Sequence, residues 1–130
     1  MLQESKIGHM RNFRFILFVI LLIGCSLNQS EETEFGASYS INLNESSPSI
    51  EVDKLTISIS YSGCSSAHSF TLKNRLSAST AEIWLFKETK DQLCDGIIQE
   101  VRTFQLPQEI STSKNIVLIT PVDETIVLKY

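Results

Sequence analysis

A small all-β domain, built as an antiparallel sandwich, is the fold class that this 130-residue sequence predicts. Three features predict it. Apolar residues recur at every second position in several segments, Ser, Gly, Asn and Pro punctuate the chain between those segments, and no convincing amphipathic helix follows residue 25.

Tyr39, Ile41 and Leu43 alternate with Ser38, Ser40 and Asn42, and Leu55, Ile57, Ile59 and Tyr61 alternate with Thr56, Ser58 and Ser60. Each pattern predicts a strand with one wet face. His68, Phe70 and Leu72 continue the alternation. Ile83-Trp84-Leu85-Phe86 sets four large apolar residues in a row, which predicts a central strand covered on both faces. Residues 97–106 predict a long strand whose apolar residues change parity between Ile97/Val101 and Phe104/Leu106, a pattern that a bulge or bend would accommodate. Pro107 closes it. Residues 115–120 and 125–130 supply the last two strands, with Pro121-Val122-Asp123-Glu124 as the turn of their hairpin. Seven short strands favour a sandwich, with an immunoglobulin-like topology as the first expectation. A half-wet sheet cannot hide its apolar face alone. Ile57, Ile59, Phe70, Leu72, Ile83, Leu85, Phe104, Ile116, Leu118 and Ile126 are therefore expected to meet across two sheets.

The N-terminal end has a different composition. Lys6, Arg11 and Arg14 face only Glu4 in residues 1–24, whereas eight Lys and Arg stand against fourteen Asp and Glu from Cys25 onward. No cationic cluster follows residue 25, which argues against a nucleic-acid surface. Arg11-Asn12-Phe13-Arg14 precedes nine apolar residues, Phe15 to Ile23, in the manner of a secretory signal. Nine are too few for a spanning helix, which needs about 20. The run ends in Leu22-Ile23-Gly24-Cys25, which resembles the bacterial lipobox: Leu at −3, a small or aliphatic residue at −2, Gly or Ala at −1, then Cys.

That resemblance implies a lipoprotein precursor, cut before Cys25 and lipidated on its sulfur. Residues 1–24 are then the signal peptide, with Met10 as a cleaner start than Met1. Ser26, standing where an Asp favours inner-membrane retention in enteric lipoproteins, implies the outer membrane if the cell has one. Residues 25–37 are read as the lipidated Cys and a flexible tether that is polar and acidic, with Glu31, Glu32 and Glu34. Residues 38–130 are read as the folded domain. The expected attachments are a membrane, through the lipid, and a protein or glycan at the envelope; no cofactor is expected beyond the covalent lipid.

Cys64 and Cys94 fall within the folded domain, and two readings of them stay open. In an exported protein they would form a disulfide, closing a loop worth roughly 3–4 kcal/mol if unstrained. Alternatively, Cys64, His68, Cys94 and Asp95 would offer two thiolates, an imidazole and a carboxylate to Zn²⁺. The second reading makes the chain a periplasmic metal-binding protein. Cys-x3-His lacks the paired knuckle of a zinc motif, and His68 would equally cap backbone groups or face solvent.

The stretch Tyr61-Ser62-Gly63-Cys64-Ser65-Ser66-Ala67-His68-Ser69-Phe70-Thr71-Leu72, with Leu93-Cys94-Asp95 and Phe104-Gln105-Leu106-Pro107 beyond it, resembles a group of uncharacterised bacterial secreted proteins. Their shared pattern is Gly-Cys, a nearby His, a Phe-x-Leu strand and a second Cys. The resemblance covers roughly residues 54–107 and implies a small extracytoplasmic β domain with no activity to transfer. An enzyme is not expected. His68 is the only His after the signal, no nucleophile-elbow motif is present, and Asp91/Asp95 and Asp123/Glu124 fall at turns, where solvated acids are the rule. The expected function is that of a membrane-anchored, non-catalytic envelope or surface binding module.

Overall fold

The computed structural model describes residues 32–65 and 68–129; Cys25, the lipobox and Met10 lie outside the described residues. The chain divides into two compact units, residues 1–33 and residues 34–130, and the fold below is that of the second.

Eight strands and one helical turn make up the described part: β1 (Ser40–Ile41), β2 (Ser49–Glu51), β3 (Lys54–Ser62), β4 (Phe70–Ser77), β5 (Thr80–Lys87), β6 (Ile97–Gln105), α1 (Gln108–Ser111), β7 (Asn115–Ile119) and β8 (Thr125–Lys129). They form two sheets. In the first, β3 is central. β6 pairs along one whole edge of it, from Lys54↔Gln105 to Ser62↔Ile97, while β1 and β2 share the other edge. The second sheet runs β4-β5-β7-β8. Here too the central strand has a shared edge. β7 covers Thr80 to Ile83 of β5, and residues 35–37 cover its far end, where Ala37 N donates to Lys87 O (3.1 Å) and Lys87 N to Phe35 O (2.9 Å).

The expected all-β sandwich is what forms, and its core is the expected one. Leu55, Ile57, Ile59 and Tyr61 of β3 face Ala81, Ile83 and Leu85 of β5 and Ile116 and Leu118 of β7, all buried, with Phe70, Leu72, Phe104 and Ile126 packed at the margin. β5 is central and covered on both faces, as its apolar run predicts. Trp84, on the outer face, is only 9% exposed, because its indole Nε1 donates to Glu34 O (3.0 Å) and the Arg75 guanidinium lies 5.8 Å from the ring centroid.

Several details differ from expectation. β5 and β7 run parallel, so the second sheet is mixed. Parallel neighbours need a long crossover, and residues 88–114 provide one by visiting the first sheet as β6 before returning through α1. The immunoglobulin-like order therefore stays an expectation rather than a finding. β6 carries no bulge: nine consecutive residues keep one register with β3. Its parity puzzle is resolved differently, with Ile97 and Val101 facing outward, 76% and 61% exposed, and Ile98, Glu100, Arg102 and Phe104 taking the inner face. The register shift in this fold lies between Ile116 and Val117.

β2 and α1 were not foreseen, and His68 precedes β4 instead of beginning it. The folded unit also begins at Glu34, because the pairing with Lys87 and the bond to Trp84 take four residues from the tether.

Gly36 makes that pairing possible. Its φ of 72° is left-handed, and a Cβ there would come within 2.3 Å of Lys87 O, a backbone atom that cannot yield. Gly36→Ala is expected to detach residues 35–37 at a cost on the order of 1–2 kcal/mol, the penalty of a left-handed L-residue. Local release sets a ceiling on the loss. Emission from Trp84, the single Trp of the chain, should shift to the red; unchanged emission and unchanged exchange of the Lys87 amide would refute this account of Gly36.

Candidate functional site

One end of the sandwich brings together a disulfide, an aromatic stack and a buried, paired cation. It is built from the end of β3, the connection to β4, the end of β5, and the connection to β6. Gly63 N donates to Gly96 O (3.1 Å), extending the β3–β6 ladder one step past Ser62↔Ile97. This brings the flanking residues Cys64 and Cys94 together in a disulfide, with Cα atoms 5.5 Å apart, inside the range that the bond requires. Two further bonds brace the staple: Cys64 N donates to Gln92 Oε1 (2.8 Å) and Ser62 Oγ to Cys94 O (3.2 Å).

Below the staple, Tyr61 is the hub. It continues the inward parity of Leu55, Ile57 and Ile59, and it is 4% exposed. The His68 ring stacks on it at 4.5 Å with a 27° tilt, Phe70 lies 5.5 Å away, and Lys87 Nζ lies 5.1 Å from its centroid. Its hydroxyl donates to Glu100 Oε1 (2.6 Å), and Glu100 is paired with Arg102 at 2.7 Å. Burial and the bond to the Glu100 carboxylate both push the Tyr61 phenol above its usual pKa. Arg102 in turn lies 5.0 Å from the centroid of Phe70, so the open side between β6 and β4 is bridged by a cation on an aromatic ring.

Lys87 follows the same inward parity as Ala81, Ile83 and Leu85 and is fully enclosed. A buried ammonium must be paired. Its Nζ donates to Asp91 Oδ1 (2.7 Å) and to Ser38 O (2.9 Å), which ties the connection after β5 to the segment entering β1. That bond holds the Asp91 carboxyl below the usual carboxylate range. Tyr39 closes the floor, its hydroxyl donating to Leu85 O (2.6 Å), and burial pushes its pKa up.

His68 is the least settled group of the cluster. It is 2% exposed, and neither ring nitrogen has a hydrogen-bond partner among the described residues. It neither caps a backbone group nor faces solvent, contrary to both expectations for it. Gly63 leaves the room it occupies, since a Cβ there would stand 2.7 Å from His68 Nε2.

The donor set Cys64, His68, Cys94 and Asp95 is not assembled as a metal centre. The two sulfurs are bonded to each other, so neither is available as a thiolate while the bond stands, His68 lies against Tyr61 and Gly63, and Asp95 is exposed. Asp123 and Glu124 belong to the β7–β8 turn, where Asp123 takes a φ of 58° and Glu124 N donates to Thr120 Oγ1 (3.1 Å). Tyr61 is read from the sequence only as a strand position, and Lys87, Glu100 and Arg102 carry no sequence assignment. The available signal was parity, since Lys87 continues the inward positions of β5 and Glu100 and Arg102 alternate with Ile98 and Phe104.

Chemically, the arrangement is a covalently stapled end. Two connections from opposite sheets are stapled over a packed aromatic and ionic layer, with Leu93 fully exposed beside the disulfide. No family model, curated protein or solved structure matches the chain.

Proposed function

We propose that the chain is an exported lipoprotein, anchored to the cell envelope through a lipid on Cys25, whose sandwich serves as a non-catalytic binding module. The observation that carries this reading is the pairing of two cysteine signals. Leu22-Ile23-Gly24-Cys25 ends a basic-then-apolar leader, and the remaining two cysteines are joined to each other. Structural disulfides persist in oxidising compartments, so both signals support an extracytoplasmic address. The outer membrane is the destination where there is one.

The stapled end supports the binding role. Its connections are held by covalent and hydrogen bonds before any partner arrives, which lowers the ordering cost of association. Leu93 adds an exposed apolar side chain to that frame, whose burial against an envelope protein or the apolar face of a glycan would be favourable. The metal-handling alternative would need the two thiolates that the disulfide consumes.

Cys25→Ser is expected to abolish lipid attachment and leave an uncut or differently cut precursor. Growth with a labelled fatty acid checks this directly. Label retained on the Cys25→Ser protein would overturn the lipoprotein assignment.

A further inference from the structure

We propose that β6 is a self-association edge, at which a second copy of this chain pairs antiparallel about a two-fold axis through Val101. Among the described residues β6 pairs with β3 alone, which leaves one edge of a nine-residue strand unpaired. A long, regular edge is a template for another strand unless something blocks it. β6 has no proline, no lysine and no bulge.

Its one protective feature is an inward pair of charges, Glu100 and Arg102, and these decide which strand can be accepted. Within one chain Glu100 accepts from the Tyr61 hydroxyl and pairs with Arg102, which lies over Phe70, so an incoming strand meets a bonded pair and is opposed if it sets a like charge across from either residue. A second β6 is different. With the axis through Val101, Glu100 of each copy stands opposite Arg102 of the other. The remaining pairs are also compatible: Ile98 faces Phe104, Gln99 faces Thr103, and Val101, exposed in the single chain, faces itself. Opposite charges directly across an antiparallel pair stabilise it, and like charges oppose it.

Moving the axis by one residue would set Glu100 against Glu100 or Arg102 against Arg102, so the charges fix the register as well as the partner. The corresponding edge of the other sheet, β4, lacks this property. An axis through Asn74 would set Lys73 against Arg75. Pairing through β6 would join two three-strand-wide sheets into one continuous surface, with both rows of outward Ser, Thr and Gln side chains on the same side.

The test is cysteine cross-linking in the full chain carrying Cys25→Ser, under mild oxidation, read on a non-reducing gel. Val101→Cys places two thiols at the axis, where directly opposed Cα atoms are about 4.5–5.5 Å apart, within disulfide range. Ile97→Cys places them eight residues apart along the pair, roughly 27 Å. A reductant-sensitive dimer from Val101→Cys but not from Ile97→Cys is the expected result. Adding Glu100→Arg to Val101→Cys should weaken dimer formation about tenfold by creating two like-charge pairs, and adding Arg102→Glu as well should restore it. Circular dichroism on each variant separates misfolding from lost association.

Equal cross-linking at positions 97 and 101 would overturn the proposal. So would a folded triple variant that fails to recover, a monomeric mass for the unmodified protein at high concentration, or Val101→Cys linking only to a foreign chain.

Discussion

Replacing both Cys64 and Cys94 by serine should destabilise the domain by about 3–4 kcal/mol, the chain-entropy value for a loop of roughly 30 residues. For a domain of this size that corresponds to a fall in Tm on the order of 15–25 °C. The experiment is unusually clean here. Cys64 is exposed and Cys94 half-buried, so the substitutions remove little packing, and the loss should come from a freer unfolded chain. The β3–β6 ladder runs for nine residue pairs without help from the staple, so the far-ultraviolet spectrum should keep its β signature at low temperature. A fall of less than about 5 °C would mean that the Gly63–Gly96 and Gln92 bonds already hold the two connections together, since 1 kcal/mol moves Tm by roughly that much.

Truncating Lys87 to alanine should cost about 2–4 kcal/mol, comparable to deleting a long side chain from a core. Most of the loss belongs to the buried stem. Ser38 and Asp91 are exposed and can turn to water, whereas the space under Tyr61 cannot be refilled without moving the end of β5. Lys87→Met keeps the stem and removes the charge, and should recover most of the stability. If Met were as damaging as Ala, the ion pair would be the principal contribution.

The pH dependence separates the two contributions. Asp91 titrates lower in the folded chain than its ordinary value because Lys87 donates to it. A depressed folded pKa stabilises the protein above the unfolded value, near 4, and that contribution disappears as pH falls through the folded value. The difference between wild type and Lys87→Met should accordingly be constant above about pH 5 and shrink below pH 4. Asp91 is half open to solvent, so the amplitude will be modest.

Period two was readable where one parity is consistently apolar, which is why β3 was legible, and β5 was legible from its unbroken apolar run at residues 83–86. β2 was not. Ser49-Ile50-Glu51 has a single apolar residue, and its turn is Val52-Asp53, in which a β-branched residue takes a φ of 60° where Gly or Asn would have signalled the reversal. α1 is four residues long, too short for a helical period to register, although it places Ile110 in the core. In β6 both parities carry apolar residues, so local sequence could not say which faced inward. Contact with Tyr61 and Phe70 is what places Glu100 and Arg102 there. The disulfide was legible because it needs only two cysteines and an address. Lys87 and His68 were not, because the burial of a charged or polar ring is decided by residues far away in the chain.

Residues 35–37 are held to β5 by two backbone bonds, with Trp84 bonded to the residue before them. For a domain hauled by its N-terminal side, that arrangement is a mechanical fuse. Load entering at Glu34 would meet these few bonds, and then the Lys87 bond to Ser38 O, before it reached β1, so they would be the first to fail. Freeing residues 34–37 releases roughly 14 Å of chain, and relaxation of the load lets the segment snap back beside Lys87. Residues 34–37 would extend under tension and re-form at rest, with the single Trp reporting which state they are in.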